Sequence, residues 1–242
     1  NRKSYLKGIY DKYKNRFRML VTGSARLDIY RKGGDSLLGR YYYYRLHPFS
    51  VAELLLKRVD NSGGIFKELE FADSGKENKK IFNTLLAFGG FPEMVVKKSL
   101  KSLRRWHNNR VDRVIKEDIR DIENIKDLSK LQVLVELIPD KVGSLFSLNS
   151  LREDLETTHK TVSSWIEILE RFYYLFRIYP FQSKTIKSLK KEPKVYLWDW
   201  SEIENEGARF ENMVASHLLK YCHFLFDNQG YKAGLYLSLI HI

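Results

Sequence analysis

Two short apolar runs mark the first fifty residues of the chain, at residues 17–21 and 41–46. Both have the length and the β-favouring residues of strands, and turn-forming residues bound each of them. The neighbouring segments 5–15 and 25–32 instead carry apolar side chains at helical spacing. This alternation predicts two strands, each beside a helix, and therefore an α/β fold in the first part of the chain.

Helical patterns dominate after residue 50. Ser50 followed by Glu53 is a capping box, which predicts a helix over residues 51–57. A polar, glycine-containing loop is expected at residues 59–80. Further helices are predicted at residues 81–88, 93–100, 103–121, 128–138 and 148–155 and from residue 158 onward, with a last helix at 210–219 and a strand-like aromatic run at 221–226.

The order of elements between residues 126 and 199 is characteristic. Three helices are followed by two strands, at 175–181 and 194–198, which flank a basic loop. Pro139 and Gly143 are expected to break the first of these helices. Three helices and a two-stranded ribbon are the outline of a winged helix.

The composition favours a polyanionic partner. Of the 242 residues, 42 are Lys or Arg and 30 are Asp or Glu, which gives a formal net charge of +12. Nucleic acid, nucleotide phosphates and acidic lipid fit this balance, and so does a merely well-solvated basic surface. The single cysteine, Cys222, excludes a disulfide framework and fits a cytoplasmic protein. No apolar run approaches the roughly 20 residues that cross a membrane, so no membrane partner is expected.

Hydroxyl side chains follow the first predicted strand. Thr22 and Ser24 flank Gly23 at the strand end, where α/β folds place ligand chemistry. Either hydroxyl could orient a water molecule or a γ-phosphate. The alternative is a plain turn in which Ser24 caps the following helix.

Arg40 immediately precedes the second predicted strand. A guanidinium there could stabilise the charge that develops on a transferring phosphoryl group. The alternative is a surface ion pair with a carboxylate such as Asp35. His47 closes the same strand without a second ligand at metal-binding spacing, so it is expected to be structural, and no metal site is predicted.

An acidic helix face is predicted near the middle of the chain. Glu117, Asp118 and Asp121 could bind Mg²⁺. Basic neighbours such as Arg110 and Arg113 favour a salt-bridged face instead.

The third helix of the winged unit and its basic loop are the candidate DNA contacts. A recognition helix contacts DNA through its N-terminal residues, and a basic loop contacts phosphates. The alternative is a winged helix that docks proteins, because Glu167 and Glu170 lie on the same helix. The candidate residues are His159, Lys160, Ser163 and Ser164 on the helix, with Lys184, Lys187, Lys190 and Lys191 in the loop.

Three stretches of the sequence resemble a known family. They are VTGSARLDIYRKGGDSLLGRYYYYRLHPFS at residues 21–50, GGFPE at residues 89–93 and DIRD at residues 118–121. They look like the prokaryotic AAA+-type ATP-binding proteins that carry a C-terminal domain of unknown function. The resemblance extends over nearly the whole chain.

The resemblance implies a nucleotide site that is shared with sequence upstream. The Walker A loop and the Walker B acidic pair would lie before residue 1, so the chain is expected to be a fragment that does not hydrolyse ATP alone. Thr22 and Ser24 would occupy the sensor-1 position. Arg40 would be an arginine-finger candidate that acts in cis or on a neighbouring copy, through self-association. ATP and Mg²⁺ are the expected ligands of the complete protein, and neither is expected to bind this fragment tightly.

The resemblance also implies how the chain is organised. Residues 1–58 would be the C-terminal part of the ATPase core, and residues 59–125 a helical lid or linker. Residues 126–199 would be the winged helix, and residues 200–242, with Glu211 and Asn212, the start of a restriction-endonuclease-like α/β domain.

Three functions stay open from the sequence. The expected function of the complete protein is an ATP-dependent switch that acts on its C-terminal domains. The alternatives are a DNA-binding winged-helix module and a protein-interaction regulator without catalysis.

Overall fold

A computed structural model describes residues 2–23, 40–55, 75–112, 127–181 and 191–238. These residues are mostly helical and include one two-stranded antiparallel sheet. None of their helices has the length and apolar character needed to cross a membrane. In chain order the elements are α1 (Arg2–Tyr13), α2 (Val51–Leu54), α3 (Lys76–Phe88), α4 (Pro92–Lys97), α5 (Leu100–Asp112), α6 (Leu128–Lys141), α7 (Leu148–Asp154), α8 (His159–Arg171), β1 (Leu175–Ile178), β2 (Lys194–Leu197), a 3₁₀ turn (Trp200–Glu202) and α9 (Glu206–Gln229).

The two strands predicted near the N-terminus do not form. Among the described residues, neither 17–21 nor 41–46 pairs with another strand. The side chains of Leu20 and Leu46 are 88% and 102% exposed. A strand is stabilised by hydrogen bonds from a neighbouring strand, and the described structure supplies none. The prediction of strands at these two places is therefore wrong for this structure.

The predicted helices form, with shifted ends. The helix expected at 81–88 begins earlier, at Lys76, and Gly89 ends it with φ 75°. The helix expected to break at Pro139 instead continues to Lys141, since one missing N–H does not stop a last turn. The predicted helices at 25–32 and 113–121 lie outside the described residues.

Helices α6, α7 and α8 and the β1–β2 ribbon follow one another as the apolar pattern predicts. The apolar face of α6 is buried, and so is the stripe on α8 that includes Trp165 and Leu169. Thr158 begins α8 by accepting a hydrogen bond from the Thr161 N–H at 3.1 Å. In the ribbon, Phe176 lies opposite Tyr196 and stacks on it at 5.5 Å between ring centroids.

The outer edge of β2 is covered by a side chain. The Leu197 N–H donates to Asn212 Oδ1, and Asn212 Nδ2 donates to the Leu197 carbonyl, both at 2.7 Å. On the other side of β1, Leu237 donates to the Tyr179 carbonyl at 2.9 Å and accepts from the Phe181 N–H at 2.8 Å. The ribbon is therefore tied both to α9 and to the segment that follows it.

Helix α9 is longer than predicted, and its buried face overlaps the predicted apolar face only in part. The aromatic run at 221–226 is part of this 24-residue helix, so the prediction of a strand is wrong there. The sequence places Phe210, Met213, Val214 and Leu218 on one apolar face; Met213 is buried, whereas the other three are 40–49% exposed. Asn212 and Ser216 are buried beside Met213, and Asn212 is hydrogen-bonded to Leu197 of β2.

One continuous core joins these elements. It extends from Leu85 in α3, through α6, α8 and the ribbon, to Ala215 in α9. Trp200 lies at its centre, fully buried, and its Nε1 donates to the Leu85 carbonyl at 2.7 Å. The domain boundaries expected from the sequence stay predictions.

Candidate functional site

Residues 45–49, here called the docked segment, connect the N-terminal part of the chain to the C-terminal helices. Arg45 makes three hydrogen bonds to Asp227 of α9: Nη2 to Oδ1 at 2.6 Å, and both Nε and the backbone N–H to Oδ2 at 3.1 Å. The Asp227 side chain is 5% exposed. Burial raises the pKa of this carboxyl, but the hydrogen bonds from Arg45 lower it more, and the net pKa lies below its ordinary value. The pair thus stays ionised and holds the segment on α9.

The next residues of the docked segment fit against the glycine pair that ends α3. The Phe49 N–H donates to the Gly90 carbonyl at 2.7 Å. A Cβ atom on Gly90 would lie 2.7 Å from Pro48 Cβ and 2.7 Å from Trp200 Cη2. Only a residue without a side chain fits there, so the segment, the α3–α4 turn and the 3₁₀ turn meet at one point.

Lys220 of α9 binds the C-terminal end of the docked segment. Its Nζ donates to the Pro48 carbonyl at 2.9 Å and to the Glu53 carboxylate. Glu53 also accepts from the Ser50 N–H and hydroxyl, both at 2.8 Å, which confirms the predicted cap of α2. Burial raises the pKa of Glu53, but the bonds from Lys220 and Ser50 lower it more, so the net pKa is below its ordinary value.

A histidine pair lies at the centre of this contact. His47 Nε2 and His223 Nδ1 are 3.0 Å apart, and His47 also packs on Trp198. The other His47 nitrogen, Nδ1, is buried without a hydrogen-bond partner in the described structure. Burial, together with the charges of His223, Lys220 and Arg45, lowers the pKa of His47 to about 3. The structural role predicted for His47 stays a prediction, and the described structure gives it a histidine partner within this contact.

This histidine pair predicts acid sensitivity. The folded state keeps His47 neutral down to about pH 3, while the unfolded state protonates it near pH 6.5. The unfolded state therefore binds more protons in that window, and stability falls as the pH drops through it. We expect His47→Gln to have a smaller fall in urea midpoint between pH 7.5 and pH 5 than the unchanged protein. The exposed His159→Gln is the control; an equal fall in all three proteins would contradict the prediction.

A buried polar network fixes α5 to the 3₁₀ turn. Arg110 Nη1 lies 2.5 Å from Glu202 Oε1, and the two side chains are 9% and 6% exposed. The Tyr174 hydroxyl donates to Glu202 Oε2 at 2.7 Å, and the guanidinium lies over the rings of Phe91 and Tyr174. Burial raises the pKa of Glu202 and Arg110 offsets part of that rise. Burial lowers the pKa of Arg110, but Glu202 and Asp199 raise it above its ordinary value.

Asp199 is the second centre of the network. It is 1% exposed, and its Oδ2 accepts from Trp106 Nε1 of α5 at 2.8 Å. Its Oδ1 accepts from the Ser201 hydroxyl at 2.5 Å and from the Ser201 N–H at 3.2 Å. A Cβ on Gly89 would lie 2.5 Å from the same oxygen. The carboxylate is thus fully enclosed and holds α5 against the turn.

The candidate phosphate-sensing residues lie outside this contact. Thr22 is exposed and has no hydrogen-bond partner in the described part of the chain. Arg40 Nε donates to Asp11 of α1 at 3.0 Å, in a pair whose side chains are 32% and 45% exposed. Asp35, the partner that the sequence suggested for Arg40, lies outside the described residues, and so does Ser24. In the part of the chain that the structure describes, no hydrogen bond joins Thr22 to Arg40.

The candidate DNA contacts are described only in part. His159, Lys160 and Ser164 are exposed on the first turns of α8, and Ser163 is half-buried. Glu167 is exposed one turn further along the helix. The loop candidates Lys184, Lys187 and Lys190 lie outside the described residues, while Lys191 is described and exposed.

Glu211 and Asn212, which resemble the start of a nuclease-like domain, have structural partners here. Glu211 Oε1 accepts from Lys194 Nζ at 3.0 Å and from the Tyr196 hydroxyl at 2.8 Å. Asn212 is fully buried on Leu197. Within the described residues, no three His, Cys, Asp or Glu side chains are grouped to bind a metal ion.

The sequence interpretation missed the role of Arg110. It placed this residue on a salt-bridged surface beside Glu117 and Asp118, but Arg110 is buried against Glu202. One signal was available, since Leu103, Trp106 and Arg110 share a helix face at spacings of three and four. An arginine in line with two apolar residues indicates a buried ion pair.

Two known families match separate parts of the chain. Residues 79–201, just over half of the chain, match the family described as "Domain of unknown function (DUF8612)", and the chain belongs to that family. Residues 1–55 match the family described as "AAA domain". The docked segment thus lies near the end of the AAA match, and it contacts the DUF8612 region at Gly90.

Full-length relatives come from an archaeon and a bacterium. The uncharacterized proteins MJ1637 and MJ1544 of Methanocaldococcus jannaschii are 25% and 24% identical to the chain over 90% and 82% of its length. An uncharacterized protein of Haemophilus influenzae is 23% identical over 84% of the chain. The chain spans about half the length of these relatives, at 50%, 46% and 51%. No solved structure matches the chain.

Proposed function

We propose that the chain is part of an ATP-dependent switch of the AAA class, in which the docked segment transmits the nucleotide state to the C-terminal helices. The observation that carries the proposal is the contact of residues 45–49, which lie near the end of the AAA match, with α9 and the α3–α4 turn. The contact is closely packed around Gly90, and Arg45 forms an ion pair with Asp227 of α9. A movement of the segment would therefore move α9, because both contacts resist sliding.

The side chains upstream of this segment have the donor chemistry of a phosphate site. Arg40 supplies a guanidinium, which matches the geometry of phosphate oxygens, and Thr22 supplies a hydroxyl. Bound ATP would supply the phosphoanhydride whose cleavage drives the switch. In this proposal Arg40 leaves Asp11 to neutralise the transferring phosphoryl group, and Thr22 orients the attacking water.

The proposal predicts that Arg40 affects turnover more than nucleotide affinity. In the complete protein that contains this chain, we expect Arg40→Ala to lower kcat for ATP hydrolysis by about 100-fold or more, because arginine fingers act mainly on the transition state. The nucleotide Kd should change only a few-fold. Steady-state phosphate release and fluorescent-nucleotide titration measure the two quantities.

Asp11→Ala is the matched control for Arg40. It removes the partner seen in the structure and leaves the guanidinium in place. If Arg40 acts on phosphate, Asp11→Ala retains turnover. An equal loss in both variants, or normal turnover in Arg40→Ala, would assign Arg40 to a structural ion pair and remove it from the proposed site.

A second candidate function is DNA contact by a winged helix formed by α6–α8 and the ribbon. It is supported by the exposed His159 and Lys160 on the first turn of α8. The exposed Glu167 on the same helix opposes it, because it repels phosphates. Lys160→Glu tests this candidate in the binding experiment described below.

A further inference from the structure

The segment that forms α4 and α5 is strongly basic. Between Glu93 and Asp112 the sequence contains six Lys or Arg residues and no Asp or Glu. Arg110 is buried with Glu202, as described above. The other five side chains are exposed and are here called the basic surface: Lys97, Lys98, Lys101, Arg104 and Arg105.

The orientation of the basic surface is set by the buried polar network. Leu103, Trp106 and Arg110 hold one face of α5 against the core and the 3₁₀ turn. Lys101 and Arg105 are one turn apart on the opposite side, where side chains at i and i+4 are about 5–6 Å apart. The cations are thus presented outward by a helix that is itself rigidly fixed.

Most of this charge is not neutralised. Lys97 pairs with Glu93 at 2.7 Å, in an exposed i,i+4 pair. Lys98, Lys101, Arg104 and Arg105 have no carboxylate partner in the part of the chain that the structure describes. The N-terminal turns of α8, in contrast, combine the single exposed Lys160 with Glu167. The basic surface is therefore a better match for a polyanion than α8, the helix that the sequence pattern predicts to contact DNA.

We propose that the basic surface binds the phosphate backbone of a nucleic-acid duplex without reading its sequence. Clustered Lys and Arg neutralise phosphates and release counterions. The two ring side chains of α5, Trp106 and His107, contact Asp199 and Ser201 on the opposite side of the helix, so α5 leaves no free ring beside the cations on which a single strand could stack. Exposed Asn108 and Asn109 continue the face as polar groups. Helices that bind acidic membranes use aromatic and aliphatic side chains; Val96 and Leu100 are exposed beside Lys97 and Lys101, so the experiment below includes lipid vesicles.

Charge reversal tests this proposal on the full chain without ATP, so its outcome is independent of the nucleotide site. The probe is a labelled 20-base-pair DNA duplex, titrated at several salt concentrations between 50 and 200 mM. We expect Arg104→Glu with Arg105→Glu to weaken binding at least about tenfold and to lower the slope of log affinity against log salt by about 2. Both effects follow from the loss of two phosphate contacts.

Lys14→Glu with Lys232→Glu is the matched control, because it makes the same change in net charge at two exposed lysines elsewhere. The proposal requires that this control retain most of the affinity and that Lys160→Glu have a small effect. If the control weakened duplex binding equally, binding would depend on the net charge of the chain and not on the basic surface, and the proposal would fail. No duplex binding by the unchanged chain, or binding only to vesicles with 30% phosphatidylserine, would overturn the proposal. Circular dichroism spectra confirm that each variant is folded.

Discussion

Arg110→Ala is expected to lower the free energy of unfolding by about 3–5 kcal/mol, because removing one partner of a buried ion pair leaves the other charge uncompensated. The charge left behind is Glu202, whose side chain is 6% exposed. The substitution also removes the contacts of the guanidinium with the rings of Phe91 and Tyr174. Urea denaturation followed by far-UV circular dichroism measures the loss.

Arg152→Ala provides a matched control for this prediction. Arg152 pairs with Glu153 at 3.0 Å, as Arg110 pairs with Glu202, but its side chains are 43% and 68% exposed. Exposed pairs contribute about 0–1 kcal/mol, so its stability should change little. Equal losses in the two variants would show that burial of the Arg110 pair is energetically unimportant.

A double replacement separates the ion pair from packing. Arg110→Met combined with Glu202→Leu removes both charges, so the buried charge that each single variant leaves is absent. The Tyr174 hydroxyl and the Tyr173 carbonyl, both partners in the network, lose one hydrogen bond each. We still expect the double variant to be more stable than Arg110→Ala. If the double variant were less stable than Arg110→Ala, the hydrogen bonds and packing of the network would stabilise the fold by more than the unpaired Glu202 charge destabilises it.

Gly90→Ala is expected to lower the free energy of unfolding by about 1–3 kcal/mol and to displace the docked segment, since overpacking forces neighbours to shift. The added Cβ would lie 2.7 Å from two rigid groups, Pro48 Cβ and Trp200 Cη2, and 3.0 Å from the Phe49 carbonyl oxygen. None of these can withdraw as the end of a flexible side chain would. The hydrogen bond from Phe49 N–H to the Gly90 carbonyl should weaken as well.

Hydrogen exchange of the Phe49 amide measures this displacement directly, and urea denaturation measures the stability. Gly8→Ala is the control, because nothing lies within 4 Å of a Cβ placed there and the residue is inside α1. That change should be neutral or stabilising by up to about 1 kcal/mol. Unchanged Phe49 exchange in Gly90→Ala would contradict the close fit at this point.

The sequence determined the local elements wherever apolar periodicity was long. The buried faces of α6 and α8, the cap formed by Ser50 and Glu53, and the two ribbon strands all follow from spacing and turn residues within a few positions. Resemblance supplied the class of the N-terminal part, which the match of residues 1–55 to an AAA domain supports.

The errors occur where the outcome depends on residues far away in sequence. Residues 17–21 have strand composition, but a strand also needs a neighbour to pair with, which composition does not provide. Residues 221–226 have the same composition and are helical, as part of the 24-residue α9. Of the apolar residues that share one face of this helix, Met213 is buried beside Asn212, whereas Phe210 and Val214 are exposed.

The residues of the candidate site likewise include some that the sequence could predict and some that it could not. The sequence alone selected Thr22, Ser24 and Arg40 as candidates for phosphate chemistry, because that prediction needs only residue type and motif. It could not find that Arg45 pairs with Asp227, 182 residues away, or that Arg110 pairs with Glu202. Those contacts depend on which helix faces meet, and only the tertiary packing around Trp200 and Gly90 decides that.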